Sequence, residues 1–94
     1  MMKYGIRFTK AFKKSRKLMK KRGLDLSLLD DVIIKLASGI ELDEKFHDHE
    51  LAGTYKGFRE CHIKPDWLLI YLINDNILVL TLIDTVSHSD LLKM

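Results

Sequence analysis

The chain has little cysteine, no long apolar run and no acidic side chain near its start. Cys61 is the only cysteine in 94 residues, which excludes an internal disulfide and favours a reducing compartment. The apolar runs 67–73 and 77–83 are far shorter than the roughly 20 residues of a membrane span, so we expect no membrane partner. The first residues, MMKYGIRF, lack the apolar segment and cleavage site of a secretory signal. A single cytoplasmic domain over residues 1–94 is therefore expected.

Positive charge is concentrated at the start of the chain. Residues 1–24 carry ten Lys or Arg and no acid, whereas residues 25–94 carry six Lys or Arg against thirteen Asp or Glu. Such a block is typical of chains that bind a polyanion or an acidic partner, because Lys and Arg neutralise phosphates. The alternative is a solvated helix face without a partner.

The basic block lies in a predicted amphipathic helix. Residues 4–8 alternate as an edge strand does, and Thr9 offers a hydroxyl that caps a helix from residue 10 to about residue 22. Gly23 ends that helix. Apolar side chains recur at helical spacing, and the lysines fall mostly on the opposite face. The lysines of this cationic face are Lys10, Lys13, Lys14, Lys17, Lys20 and Lys21.

A second helix and three strands complete a predicted α+β architecture. The helix begins after Asp25 or Ser27 and runs to about residue 38, where Gly39 ends it. Three strands then follow, because runs of β-branched and aromatic residues are separated by the turns KPDW and INDN. The strand ranges are 57–63, 67–73 and 77–84. The order is β-α-α-β-β-β: an αα-hairpin on a small antiparallel-rich sheet with the apolar middle run at its centre.

Three imidazoles and a carboxylate lie in the second half of the chain. Residues 40–56 are predicted to form a loop that carries His47 and His49, and residues 87–92 a short terminal turn. Histidine has an unperturbed pKa near 6.5, so a cluster with one Asp suits proton transfer at neutral pH. The candidate cluster is His49, His62, Asp66 and His88.

Strand alternation gives the cluster a predicted position. If Cys61 and Ile63 face the helices, His62 faces the open side of the sheet. Asp66 follows His62 by four residues across a tight turn at Pro65, so these two side chains are expected to meet. His47 matches no distinctive pattern and is predicted to be a solvated loop residue outside the site.

The segment DHELAGTYKGFRECHIKPDWLLIY, the lysine-rich first helix and the closing SHSDLL resemble YafQ-type toxins of the RelE/ParE superfamily of bacterial toxin–antitoxin systems. The resemblance covers nearly the whole chain. It implies a RelE/ParE-like fold and a ribosome-dependent messenger-RNA endoribonuclease that needs no metal or other cofactor. It also implies three partners: a cognate antitoxin, the message and the ribosome.

The resemblance assigns residues as well. The family's active-site set corresponds here to His49, His62, Asp66 and His88. RNA cleavage needs a base for the 2′-OH and an acid for the leaving 5′-oxygen. His49 or His62 is expected to be the base, His88 the acid, and Asp66 the group that orients an imidazolium.

Further residues are expected to contact RNA. Trp67 would stack on a base, Lys56, Arg59 and Lys64 would contact phosphates, and the cationic face would bind the ribosome. Arg59 has a second interpretation as a structural residue on the core side. Leu92 belongs to this expected set, although the family often has an aromatic there. Two further departures are Glu50, where proline often occurs, and Asp84, where a basic residue is common.

Three alternatives remain open at this stage. The histidines could be structural, Trp67 could be core and Asp66 only a turn former. The chain could be a ParE-like toxin that binds a protein such as DNA gyrase without cutting RNA. It could also be a zinc module, with nitrogens from His47, His49, His62 and His88.

Overall fold

The computed structural model describes residues 3–53 and 56–85, and these form two helices on a five-stranded sheet. The elements are β1 (Gly5–Phe8), α1 (Lys10–Lys21), α2 (Leu26–Ala37), a 3₁₀ turn (Glu44–Phe46), β2 (His49–Glu50), β3 (Arg59–Lys64), β4 (Trp67–Asn74) and β5 (Ile77–Thr85). The predicted α+β class and element order are confirmed. Residues 40–56 are not all loop, however, because they contain the 3₁₀ turn and the short strand β2.

The sheet has the strand order β1-β5-β4-β3-β2. β1 pairs in parallel with β5, and every other pairing is antiparallel. The first strand therefore lies at an edge and the apolar strand β4 at the centre, as the sequence predicts. The two-residue strand β2 forms the opposite edge, beside β3.

Two hydroxyls attach α1 to β5. Thr9 caps the helix by accepting a hydrogen bond from the backbone N–H of Phe12, at 3.0 Å, and its own hydroxyl donates to the carbonyl of Thr81, at 2.7 Å. Thr81 lies where the register between β4 and β5 shifts, which is a β-bulge. Ser15 accepts a hydrogen bond from the N–H of Ile83, at 3.2 Å. Thr9 therefore both caps α1 and provides a hydrogen bond to the Thr81 carbonyl at the bulge.

Short polar residues and glycine define the start of α2 and the hairpin turn. Asp25, rather than Ser27, caps α2, and hydrogen bonds from Ser27 lower the pKa of the Asp25 carboxyl. Gly23 has a φ of 82°, a left-handed conformation that suits a residue following a helix. Asp75 and Asn76 also have positive φ, 49° and 63°, which is typical of a two-residue hairpin turn.

One face of the sheet and the inner faces of both helices form the core. The buried residues are Phe12, Met19, Leu29, Val32, Ile33, Leu36, Ala37, Leu42, Cys61, Ile63, Trp67, Leu69, Tyr71, Leu78, Leu80 and Ile83. On the other face of β4, Leu68, Ile70 and Leu72 are only half-buried. We call that surface the open face, and the sequence predicts it correctly. No helix in residues 3–53 and 56–85 has the length and apolar character that crossing a membrane requires.

A candidate active site on the open face of the sheet

Glu60 lies between two histidines on the open face. His49 of β2 is directly opposite Glu60 of β3, and His62 follows Glu60 by two residues on the same side of the strand. Glu60 Oε1 is 3.6 Å from His49 Nε2 and 3.6 Å from His62 Nε2. A carboxylate placed between two imidazoles can orient both rings and share a proton with either.

Backbone carbonyls hold the other nitrogen of each ring. His49 Nδ1 is 2.6 Å from the carbonyl oxygen of His47, and His62 Nδ1 is 3.2 Å from that of Pro65. Because a carbonyl oxygen only accepts, each Nδ1 donates and therefore carries a hydrogen. The Nε2 atoms are then the ones that can exchange protons with a ligand or with Glu60.

His47 also belongs to this cluster, contrary to the prediction that it lies outside. Its ring centroid is 5.6 Å from that of His62, in an edge-on arrangement, and the His49 and His62 centroids are 6.4 Å apart. His47 is exposed, as predicted, but its backbone has a φ of 48°. This left-handed conformation, which a sequence pattern does not reveal for histidine, turns the chain before β2.

Asp48 anchors the segment that carries His47 and His49. Its Oδ1 accepts a hydrogen bond from the Tyr71 hydroxyl at 2.6 Å and one from Arg59 Nε at 3.3 Å. Burial and the bond to Asp48 raise the pKa of Tyr71. Burial acts to lower the pKa of Arg59, but the bonds to Tyr71 and Asp48 outweigh it and the pKa rises. Arg59 is therefore bound to this anchor, which favours its structural interpretation.

Two expectations for the KPDW turn are wrong. Among the described residues, no hydrogen bond or ion pair joins Asp66 to His62, because the ring nitrogens of His62 face Pro65 and Glu60 instead. Trp67 is 1% exposed and lies on the helix side of β4 with Leu69. Strand alternation thus buries the indole, which leaves no ring face for a base to stack on.

The remaining predicted residues lie outside the cluster, and three of these predictions fall outside the described part of the chain. Lys56 and Lys64 are exposed, and all six lysines of the cationic face of α1 are exposed as predicted. Asp84 is exposed on β5. It lies two strands from His62, because Leu68 of β4 pairs with both residues. His88, Leu92 and the predicted turn 87–92 lie outside the described residues.

The sequence analysis missed Glu60 as a site residue, although alternation puts it on the face of His62. The sequence does not show that β2 pairs with β3, and this pairing is what brings His49 opposite Glu60. Within residues 3–53 and 56–85, no group of three or more His, Cys, Asp or Glu side chains is arranged to hold a metal ion. The zinc hypothesis therefore has no ligand set in that part of the chain.

Comparison with known proteins identifies the family. The model of the family described as "Bacterial toxin of type II toxin-antitoxin system, YafQ" matches residues 4–93. The mRNA interferase toxin YafQ of Escherichia coli K12 is 34% identical over 79 residues, which cover 83% of this chain and 86% of the relative.

Two solved structures are similar over almost their whole length. A metal-bound toxin from Helicobacter pylori has a TM-score of 0.82 and 43% identity, with 97% of this chain and 99% of that chain covered. A chain of the E. coli DinJ–YafQ toxin–antitoxin complex has a TM-score of 0.82 and 32% identity, with 89% and 93% covered. The resemblance seen in the DHEL and CHIKPDW segments is thus confirmed, and the chain belongs to the YafQ family of bacterial toxins from type II toxin–antitoxin systems.

Proposed function

We propose that this toxin is an endoribonuclease that cleaves messenger RNA on the ribosome, in the cytoplasm. The observation that carries the proposal is the Glu60 carboxylate, placed 3.6 Å from both His49 Nε2 and His62 Nε2 on the open face. The name of the E. coli relative, mRNA interferase, supports the same activity. The ParE-like alternative, a toxin that binds gyrase without cutting RNA, has no comparable support from the relatives.

The proposed reaction is attack of the 2′-oxygen on the adjacent phosphorus, which breaks the bond from phosphorus to the 5′-oxygen. His49 or His62 takes the proton of the 2′-OH through Nε2, and a second imidazole returns a proton to the leaving oxygen. His88 is the proposed acid. Glu60 takes over the orienting role that the sequence assigned to Asp66. No step in this scheme passes through a metal.

Asp66 stays in the proposed set in a different role. Its exposed carboxylate follows Pro65 at the end of β3. A carboxylate at that place can accept a hydrogen bond from a ribose hydroxyl or a base edge of bound RNA. Lys56 and Lys64, both exposed, are proposed to contact phosphates of the message.

The proposed partners are a cognate antitoxin, the message and ribosomal RNA. The E. coli relative forms a complex with the antitoxin DinJ, which supports an antitoxin partner for this chain. The cationic face of α1 supports contact with the ribosome, because clustered Lys side chains neutralise phosphates.

Cleavage of a message in a purified translation system tests the proposal. His62→Ala and His49→Ala should each slow cleavage by about 10²- to 10⁴-fold, which is the usual contribution of general acid–base groups. Glu60→Gln should slow it by at least about 10-fold, since both rings lose their charged partner. Asp75→Asn is the matched control, because Asp75 is exposed in the turn between β4 and β5, five residues beyond Ile70, the pairing partner of Glu60.

Circular dichroism must first show that each variant is folded. Full cleavage by both folded histidine variants would overturn the proposed catalytic role of the cluster. Damaged DNA in cells without cut messages would favour the gyrase-binding alternative instead.

A further inference from the structure

A basic groove begins where the histidine cluster ends. It has a volume of about 520 Å³ and lies between α2, the 3₁₀ turn and the turn after β3. Its polar and aromatic lining consists of Asp31, Lys35, Lys45, Phe46 and Lys64, with Pro65 at one end. We call it the Phe46 groove. Small-ligand sites usually have volumes of about 300–1,000 Å³, so the groove is large enough for a nucleotide.

Phe46 gives the groove an aromatic surface beside two ammonium groups. The ring is half-buried, and Lys35 Nζ and Lys45 Nζ lie 5.6 Å and 5.3 Å from its centroid. Both ammonium groups lie over the ring, because the ring face attracts cations at such distances. A flat aromatic ring with cations around it is the combination on which single-stranded nucleic acid stacks and is neutralised.

The charge of the groove favours an anion. Lys35, Lys45 and Lys64 are exposed on three different elements, and Asp31 is the acidic residue among the lining side chains. Lysines from separate elements converge on the groove, although the protein carries excess acid after residue 24. A ligand with phosphates spaced along a chain would neutralise several of them together.

The groove lies on the helix side of β3, and two residues at its border link it to the proposed catalytic cluster. Pro65, which lines the groove, accepts the hydrogen bond from His62 Nδ1, and Phe46 directly precedes His47, whose ring is 5.6 Å from that of His62. A polynucleotide with one phosphodiester at the cluster would therefore extend its next nucleotide toward Phe46.

We propose that the Phe46 groove binds a nucleotide of single-stranded RNA next to the cleaved phosphodiester. The base stacks on Phe46, and Lys35, Lys45 and Lys64 pair with the phosphates on either side. This inference rests on the proposed ribonuclease function, since it assigns the groove to the same substrate. It also replaces Trp67, which is buried, with Phe46 as the aromatic side chain that contacts a base.

Binding of an RNA that cannot be cleaved tests the groove. The probe is a fluorescent ten-nucleotide single-stranded RNA with 2′-O-methyl groups throughout, which lacks the attacking hydroxyl. Phe46→Leu should bind it roughly 5- to 150-fold more weakly, the usual effect of losing one stacked base. The double variant Lys35→Ala/Lys45→Ala should reduce the slope of log K against log salt by about 1.4, which corresponds to two lost phosphate contacts.

The matched control removes two positive charges at the other edge of the sheet. Lys3→Ala/Arg7→Ala changes the net charge equally, but Arg7 is exposed on β1, far from the groove. This control should keep the probe affinity within about two-fold and leave the salt slope unchanged. Circular dichroism should be the same for all three variants and the unmodified protein.

Each other outcome decides against the groove. Unchanged probe binding by both groove variants, or no probe binding by the unmodified protein, would overturn the inference. Variants that bind the probe normally but lose a purified cognate antitoxin would show a protein-docking surface instead. Failure of the unmodified protein to cut messages overturns the proposed function separately, because the probe reports binding without cleavage.

Discussion

The buried Tyr71 hydroxyl donates a hydrogen bond of 2.6 Å to Asp48, which lies between His47 and His49 in the chain. Tyr71 belongs to the core side of β4, whereas both histidines reach the cluster on the open face. The bond therefore connects the core to the segment that supplies two of the three clustered rings. Arg59 adds a second bond to the same carboxylate oxygen, at 3.3 Å. The position of the catalytic candidates thus depends on Tyr71 and Arg59, which lie outside the histidine cluster.

Removing the Tyr71 hydroxyl should loosen this segment without unfolding the protein. Tyr71→Phe leaves Asp48 with Arg59 as its hydrogen-bond partner, and a bond to a charged group contributes about 1.5–3 kcal/mol. We expect the free energy of unfolding in urea to fall by that amount. Message cleavage should decrease by up to about 100-fold, because a small misplacement of catalytic groups slows the reaction. Tyr4→Phe is the matched control. Equal stability and cleavage in both variants would contradict the anchoring role.

The fold could be predicted well because its signals are local. Thr9, Asp25 and Gly23 mark helix ends through their own side chains or backbone freedom, and the Asp75–Asn76 turn follows from residues that tolerate positive φ. Alternation along β3 and β4 then identifies the buried and open faces. The 3₁₀ turn and the strand β2 were not predicted, since three and two residues are too few for a period to be visible.

The site was less predictable because its contacts join distant segments. Alternation places Glu60 beside His62, but the partner His49 arrives through β2, whose register the sequence does not reveal. Asp66 is close to His62 along the chain, yet the turn directs the Pro65 carbonyl to the ring instead. A family pattern names such residues without showing which of them touch.

The cationic face of α1 should determine affinity for the ribosome. Lys13, Lys17 and Lys20 are exposed on this face. Reversing all three to Glu should weaken ribosome binding and flatten its salt dependence, because each neutralised phosphate releases counterions. Sedimentation with purified ribosomes over a salt series measures both. The triple Lys→Arg variant keeps the charge and should bind normally. Ribosome binding by the Glu variant equal to that of the unmodified protein would contradict a role of this face in ribosome binding.

Asp84 should make this toxin bind RNA more weakly than a relative with a basic residue there. It lies on β5, two strands from His62, or about 10 Å at the usual strand spacing. At that distance a unit charge changes the interaction with a phosphate by about two-fold in water, before screening by salt. Asp84→Asn should therefore improve the apparent affinity for the message about two-fold and Asp84→Arg about four-fold. Affinity that does not rise through this series would contradict the prediction.

The buried thiol of Cys61 should make the fold sensitive to alkali. Burial raises the pKa of Cys61 from its ordinary value of 9.0 to about 12, and the carboxylates of Asp48 and Glu60 add to the rise. The folded state therefore keeps a proton that the unfolded chain releases. The resulting stability is present in full below pH 9 and is lost as the pH rises toward 12.

Between pH 9 and pH 12 the free energy of unfolding should fall by about 1.4 kcal/mol for each pH unit. Urea unfolding at intervals from pH 8 to pH 11 should show the unmodified protein losing stability more steeply than Cys61→Ala by that amount. The alanine variant starts lower because it leaves a cavity, so the slopes and not the absolute values are compared. Tyr71, whose pKa is also raised, mainly by burial, contributes to the loss of stability in alkali in both proteins. Parallel slopes would mean that the thiol does not hold its proton in the folded state.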